Sequence, residues 1–146
     1  MVSQLKARGR RQARERGVVT VEFALLLPLI VLILVGLVEA GHLWHLQHTI
    51  TNASREGARA AIVFRKDYSP NDVKVRAQNA VNNYLSNFLP AGKWQVSFPT
   101  EPPATYQAGA NITVRVTATH GLLILDALIP AFQNISIEAE TTMRLE

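Results

Sequence analysis

From Val18 to Val38 the chain shows no alternation of apolar and polar positions. These 21 residues hold one charge, Glu22, and Phe23 to Val38 is uncharged. A helix that is apolar all round is not the surface helix of a soluble domain. At ~1.5 Å per residue the run would cover about 32 Å, enough to cross a bilayer core. Pro28 falls inside it and removes one backbone hydrogen bond, a defect that membrane helices tolerate better than soluble ones. Beyond Gly41 the pattern becomes one-sided. Leu43, Leu46, Ile50, Ala53, Gly57, Ala60 and Phe64 alternate spacings of three and four, which predicts a helix with an apolar seam. The later half of that seam is small: Ala53, Gly57, Ala60 and Ala61. Small residues let a second element approach closely. On a free helix Gly57 would cost about 1 kcal/mol relative to Ala, so close packing is the reason to expect it there.

A second helix is announced by Ser69, Pro70 and Asp72 as cap, first position and first-turn acid. Val73, Ala77, Ala80, Val81, Tyr84 and Phe88 mark one face, and Pro90 and Gly92 end it. The period then falls to two. Trp94, Val96 and Phe98 alternate with polar residues, as do Ile112, Val114, Val116 and Ala118, and then Ile135, Ile137, Ala139, Thr141, Met143 and Leu145. These are strands of an antiparallel sheet with one wet face. The expected class is α+β: a long N-terminal helix, transmembrane in its first half and an amphipathic stem in its second, packed by a small antiparallel sheet. Leu122 to Phe132, LLILDALIPAF, is too short to span a membrane and is expected to cover the core, with an assembly patch as the alternative.

Charge divides the chain unevenly. Residues 1–17 hold six bases against Glu15, a net of +5, and residues 18–146 hold nine bases against ten acids, a net of −1. The basic arm before the apolar run and the nearly neutral chain after it predict a cytoplasmic N-terminus and an exported body. A nucleic-acid-binding domain would carry its positive charge on the folded body, so no nucleic-acid partner is expected. There is no cysteine among the 146 residues, which excludes disulfides, thiolate metal sites and thiol nucleophiles.

Glu22 is costly where it stands, at roughly 2.5–3.5 kcal/mol for a charge deep in a bilayer. It either reaches the headgroups, is protonated, or is paired. A partner would appear if the chain were cut after Gly17 in the sequence Arg16-Gly17-Val18-Val19-Thr20-Val21-Glu22-Phe23. Val18 would then carry a new ammonium group, and Glu22 of one copy could neutralise that amine on the next. A basic leader ending in Gly, with Glu-Phe five residues on and a long apolar stretch, resembles the type IV prepilin processing site. The stretch RGVVTVEFALLLPLIVLILVGLVEAG, with Pro28 six residues after Glu22, Glu39 to Gly41 at the exit and Arg55 to Ala61 beyond, resembles the TadE-like family. These are minor pilins or pseudopilins of the tight adherence (Flp) pilus system. The resemblance covers residues 16–64. It implies a pilin-like fold and cleavage by prepilin peptidase between Gly17 and Val18. It also implies Glu22, with Phe23, as the recognition and assembly residues.

Rival readings remain open at this point. Val38-Glu39-Ala40 before Gly41 has signal-peptidase spacing, although the uncharged run is longer than the usual h-region. His42, His45 and His48 recur every third residue, but two such steps turn the helix through about 240°, so a metal site is not expected and an interfacial belt with Trp44 is. His120 and Asp126 show no partner in the sequence. Asn52, Asn111 and Asn134 head Asn-x-Ser/Thr triplets, which carry no weight in the bacterial setting that the resemblance implies. No catalytic or cofactor motif appears.

The expectation is therefore a non-enzymatic protein with no cofactor and no small-molecule substrate. Residues 1–17 are a cytoplasmic leader, 18–41 a transmembrane helix, 42–64 its helical stem and 65–146 a periplasmic head. The expected partners are the inner membrane, prepilin peptidase, other pilin-like subunits and pilus assembly proteins. The alternative is an uncleaved single-pass anchor for a periplasmic adaptor or binding module.

Overall fold

A computed structural model describes residues 2–63, 68–122, 124 and 135–145, with side chains from residue 18 onward. The elements run α1 (Val2–Ile62), α2 (Pro70–Leu85), β1 (Trp94–Ser97), β2 (Asn111–His120) and β3 (Ile135–Arg144). The chain divides into two units, Met1–Ala40 and Gly41–Glu146.

In the first unit every side chain from Val18 to Leu34 is exposed. Leu25 and Leu32 are 74% and 62% exposed. Among the described residues, the helical stretch Val18–Ile62 is long and apolar enough to cross a membrane. Exposing so many large apolar side chains to water would oppose folding at roughly 25 cal/mol per Å². A non-aqueous surround removes that cost.

The second unit is an α+β body. Its sheet is antiparallel in the order β1-β2-β3. The register sets Val96 against Val116 and Val116 against Ala139, so one face is a continuous apolar surface. Ile112, Val114, Val116 and Ala118 on that face are wholly buried. They share a core with Leu46, Ile50, Ala53, Ala58 and Ala61 of α1 and Val73, Ala77, Val81 and Leu85 of α2. Two helical faces thus cover one side of the sheet. The far side stays wet. There Arg115 reaches Glu138 and Glu140, each at 2.8 Å, and that hydrogen bond to Glu140 lifts the guanidinium above its ordinary pKa.

The second helix is shorter than its apolar spacing predicts. It ends at Leu85, where Ser86 donates its backbone N–H to Asn82 O. Leu85 and Leu89 enter the core, and Phe88 is 53% exposed. The reason lies in the turn after Leu85, which carries the chain inward at Leu89 and leaves Phe88 outside against Tyr84, ring centroids 5.5 Å apart. Ser69 sits at the N-cap without a side-chain cap bond. Gly92 and Gly109 have φ of 84° and 82°, a region that only glycine enters freely, and each stands just before a strand. Tyr68 donates to Pro103 O at 2.9 Å, and burial raises its phenol pKa against the opposing charge of Arg76. Of the apolar segment Leu122–Phe132, Leu122 is buried and Ile124 is 45% exposed; the rest lies outside the described residues, as does Phe64.

Candidate functional site

Two sets of residues carry the functional expectation, one in each unit. Gly17 and Val18 lie within the span of α1. Val18 is 52% exposed and Phe23 58%, and Glu22 is also exposed. Val18 and Glu22 are four residues apart on one helix, so they share a face one turn apart. A charge created at residue 18 would therefore be a neighbour of Glu22 on the same helix. It would equally be presented on the outside of that helix, where another copy can meet it. Phe23, next in sequence, points about 100° further round the helix.

In the second unit the small residues of α1 meet two partners. A Cβ built on Gly57 would lie 2.6 Å from Val81 Cγ2, 3.3 Å from Val114 Cγ1 and 3.4 Å from Ala77 O. Both α2 and β2 therefore close on this one position. Ala53 and Ala61 are wholly buried, and Ala60 is half-buried. The buried arc turns instead through Ser54 and Ala58, both fully enclosed. It is wider than a single three-four seam because α2 and the sheet approach α1 from different sides.

Three contacts at this interface have no signature in the sequence. Ser54 Oγ lies 2.7 Å from Thr141 Oγ1, joining α1 to β3. Arg76 of α2 donates to Ala60 O at 3.3 Å and Val63 O at 2.9 Å. It places a cation on the last carbonyls of α1, where the helix dipole favours one. Its Nε lies 3.0 Å from Asp72 Oδ2, an ion pair whose angle is not that of a hydrogen bond. His42 and His120 place their Nε2 atoms 3.0 Å apart across 78 residues, so one nitrogen carries the shared proton and the other accepts it. His120, solitary in the sequence, thus meets α1. Spacing alone can suggest Asp72–Arg76 as a surface pair; it cannot show what a distant strand delivers.

Trp44 donates its indole N–H to His48, and the Trp44 side chain is 71% exposed. Among the described residues no group of three or more His, Asp or Glu is placed to hold a metal ion. A shallow pocket of about 120 Å³ is lined by Gly92, Lys93, Trp94, Gln95, Thr117 and Thr119. That is well below the roughly 300 Å³ at which small-molecule sites begin.

Residues 17–59 match a family model described as TadE-like protein. This segment is TadE-like. The match begins at Gly17, takes in Val18, Glu22, Phe23, Ala53 and Gly57, and ends one residue before Ala60. No curated protein and no solved structure matches the chain. The TadE-like family points to association with the tight adherence pilus and is generally non-enzymatic. An exposed apolar helix inside the TadE-like segment fits a membrane anchor.

Proposed function

We propose that the chain is a TadE-like minor pilin or pseudopilin of the tight adherence (Flp) pilus, acting in pilus assembly or associated secretion. Prepilin peptidase removes residues 1–17, and the new amine of Val18 then serves as the cation for Glu22 of a neighbouring subunit. The observation that carries this reading is the exposed apolar helix with Glu22 one turn beyond Val18, within the matched segment. Each charge alone is unfavourable in lipid. Together they favour one axial stagger between adjacent helices, which is what ordered assembly requires. The N-terminus is cytoplasmic, residues 18–41 cross the bacterial inner membrane, and residues 42–146 are extracytoplasmic, with the stem at 42–64 and the head at 65–146. Partners are prepilin peptidase, other pilin-like subunits and pilus assembly proteins.

One observation favours the second reading, an uncleaved anchor for a periplasmic adaptor. The Gly17–Val18 bond lies inside α1, and a protease must unwind a helix to bring a peptide bond into its active site. Gly17 lowers that barrier, since glycine weakens a helix by about 1 kcal/mol relative to Ala. Intact-mass analysis of membrane-purified protein separates the two readings. A mature chain beginning at Val18 supports processing. A chain that retains residues 1–17 in a host with active prepilin peptidase overturns it, and loss of 40 residues would indicate signal peptidase.

A further inference from the structure

The body formed by residues 41–146 carries unlike charge on two opposite faces. Val114 and Val116 are wholly buried, so Arg115 between them points to the uncovered side of the sheet. There it meets Glu138 through Oε1 and Glu140 through Oε2. The three side chains sum to −1, one cation against two carboxylates. Each carboxylate keeps a second oxygen that can accept from another donor. The side chains of Glu138 and Glu140 are 52% and 41% exposed, so such a donor can reach them from outside.

On the covered side of the sheet, α1 brings Gly57 against Val114. Arg55 and Arg59 stand two residues before and two after Gly57, about 200° round the helix from it in either direction. Both therefore point away from the sheet, and both are exposed, as is Glu56. Among the described residues none of these three makes an ion pair. They sum to +1, two cations against one carboxylate.

Spacing and direction match as well as charge. Arg55 and Arg59 are four helical residues apart, a rise of about 6 Å. Glu138 and Glu140 are two strand residues apart, about 6.8 Å. Gln47 meets Glu138 and Ser54 meets Thr141, so α1 and β3 run the same way along the body. Two copies in one orientation can therefore set Arg55 against Glu138 and Arg59 against Glu140 at once. Arg55 follows Ser54 and so lies near the level of Thr141. This register then needs an axial step between copies of about 10 Å, three strand residues.

We infer that the outer face of α1 at Arg55 and Arg59 docks on the Glu138–Glu140 face of a second copy of this chain. The inference rests on the reading of the chain as an assembling subunit, and it names the surface and the partner. A contact between unlike faces leaves one of each free on every pair, so it continues from copy to copy instead of closing as a twofold dimer. Exposed ion pairs add little affinity, but complementary charge fixes register and rejects wrong orientations. The contact thus sets the step between bodies, in addition to the Val18–Glu22 pairing of helices.

The chain has no cysteine, so introduced thiols report one contact at a time. Asn52 and Ser136 are exposed, and each lies two or three residues before its charged pair. Full-length chains carrying Asn52→Cys or Ser136→Cys are co-expressed in bacterial membranes and treated with a short bismaleimide. The expected product joins position 52 of one copy to position 136 of another. It should be lost when the Asn52→Cys chain also carries Arg55→Glu and Arg59→Glu, and lost when the Ser136→Cys chain carries Glu138→Lys and Glu140→Lys. Pairing the two reversed chains should restore it, which a misfolded variant cannot do. Products joining 52 to 52 or 136 to 136 in equal yield overturn the inference in favour of a contact between like faces. A 52–136 product indifferent to charge reversal, or a reversed pair that stays unlinked, also overturns it. Intact mass of the same samples reads processing separately. No 52–136 product from a chain that begins at Val18 overturns this inference and leaves the processing reading standing. The expected product from a chain that retains residues 1–17 supports this inference and overturns processing.

Discussion

Gly57 of α1 and Val81 of α2 are packed so closely that a methyl group on the glycine would fall 2.6 Å from Val81 Cγ2. Val81 is wholly buried and its short branched side chain has few ways to yield. Ala at position 57 gains about 1 kcal/mol of helix propensity and meets overpacking of about 1–3 kcal/mol. The second effect wins. Gly57→Ala should lower stability by about 1 kcal/mol and Gly57→Leu should prevent the body from folding. Denaturant titration of the full chain in detergent measures the first. Adding Val81→Ala should make Gly57→Ala less harmful than it is alone, because the obstruction is then removed.

Ser54 and Thr141 form the one described side-chain hydrogen bond between hydroxyls of α1 and β3. Ser54 is completely buried and also donates to Thr51 O at 2.8 Å. Ser54→Ala leaves the Thr141 hydroxyl without this partner and should cost about 1–2 kcal/mol. The double variant with Thr141→Val should cost less than the sum of the single changes. Strict additivity in a double-mutant cycle would show that the contact carries no coupling energy.

Processing is tested at Gly17. Gly17→Leu should leave residues 1–17 on the chain in cells that mature their other prepilins. Glu22→Ala should insert normally yet fail to co-purify with partner subunits or restore piliation. Normal piliation by a strain relying on Glu22→Ala would remove the charge-pairing role.

On the wet face, Arg115 holds two carboxylates but is itself partly exposed, as are they. Solvent screening keeps such exposed pairs weak. Arg115→Met should lower stability only slightly at low ionic strength, and the difference should fade near ~1 M salt. A large loss that persists in salt would mean that packing of the arginine stem, rather than charge, is what matters.

Tyr68 gives a prediction at alkaline pH. Its phenol is held above the usual range, chiefly by burial. The folded state therefore keeps this proton more tightly than the unfolded chain does. The resulting stability is complete below the unfolded phenol pKa, about 10, and is lost as pH climbs through the raised folded value. Tyr68→Phe should flatten this part of the alkaline decline, as read by thermal melts above pH 9.5 or so. It also loses the bond to Pro103 O, costing about 0.5–1.5 kcal/mol at neutral pH.

What was legible in the sequence followed from local periodicity. The apolar run, the period-two strands and the Ser-Pro-x-Asp helix start depend on neighbours a few residues apart, and the structure has the helices and the antiparallel sheet there. The TadE-like segment was legible for the same reason, since its residues are contiguous and a family model matches 17–59. The end of α2 was misplaced because apolar spacing continues through Phe88, whereas the turn after Leu85 buries Leu89 instead.

By itself, the order of residues determined that one stretch suits lipid, that a stem and a second helix follow, and that three strands have one greasy face. Such properties arise from a side chain's transfer preference and its angular position on its own element. Tertiary structure alone decided that Arg76 caps the end of α1, that His120 finds His42, and that Gly57 is gripped from two sides. Those outcomes depend on which distant elements arrive, at what height and angle, and a linear pattern does not contain that geometry.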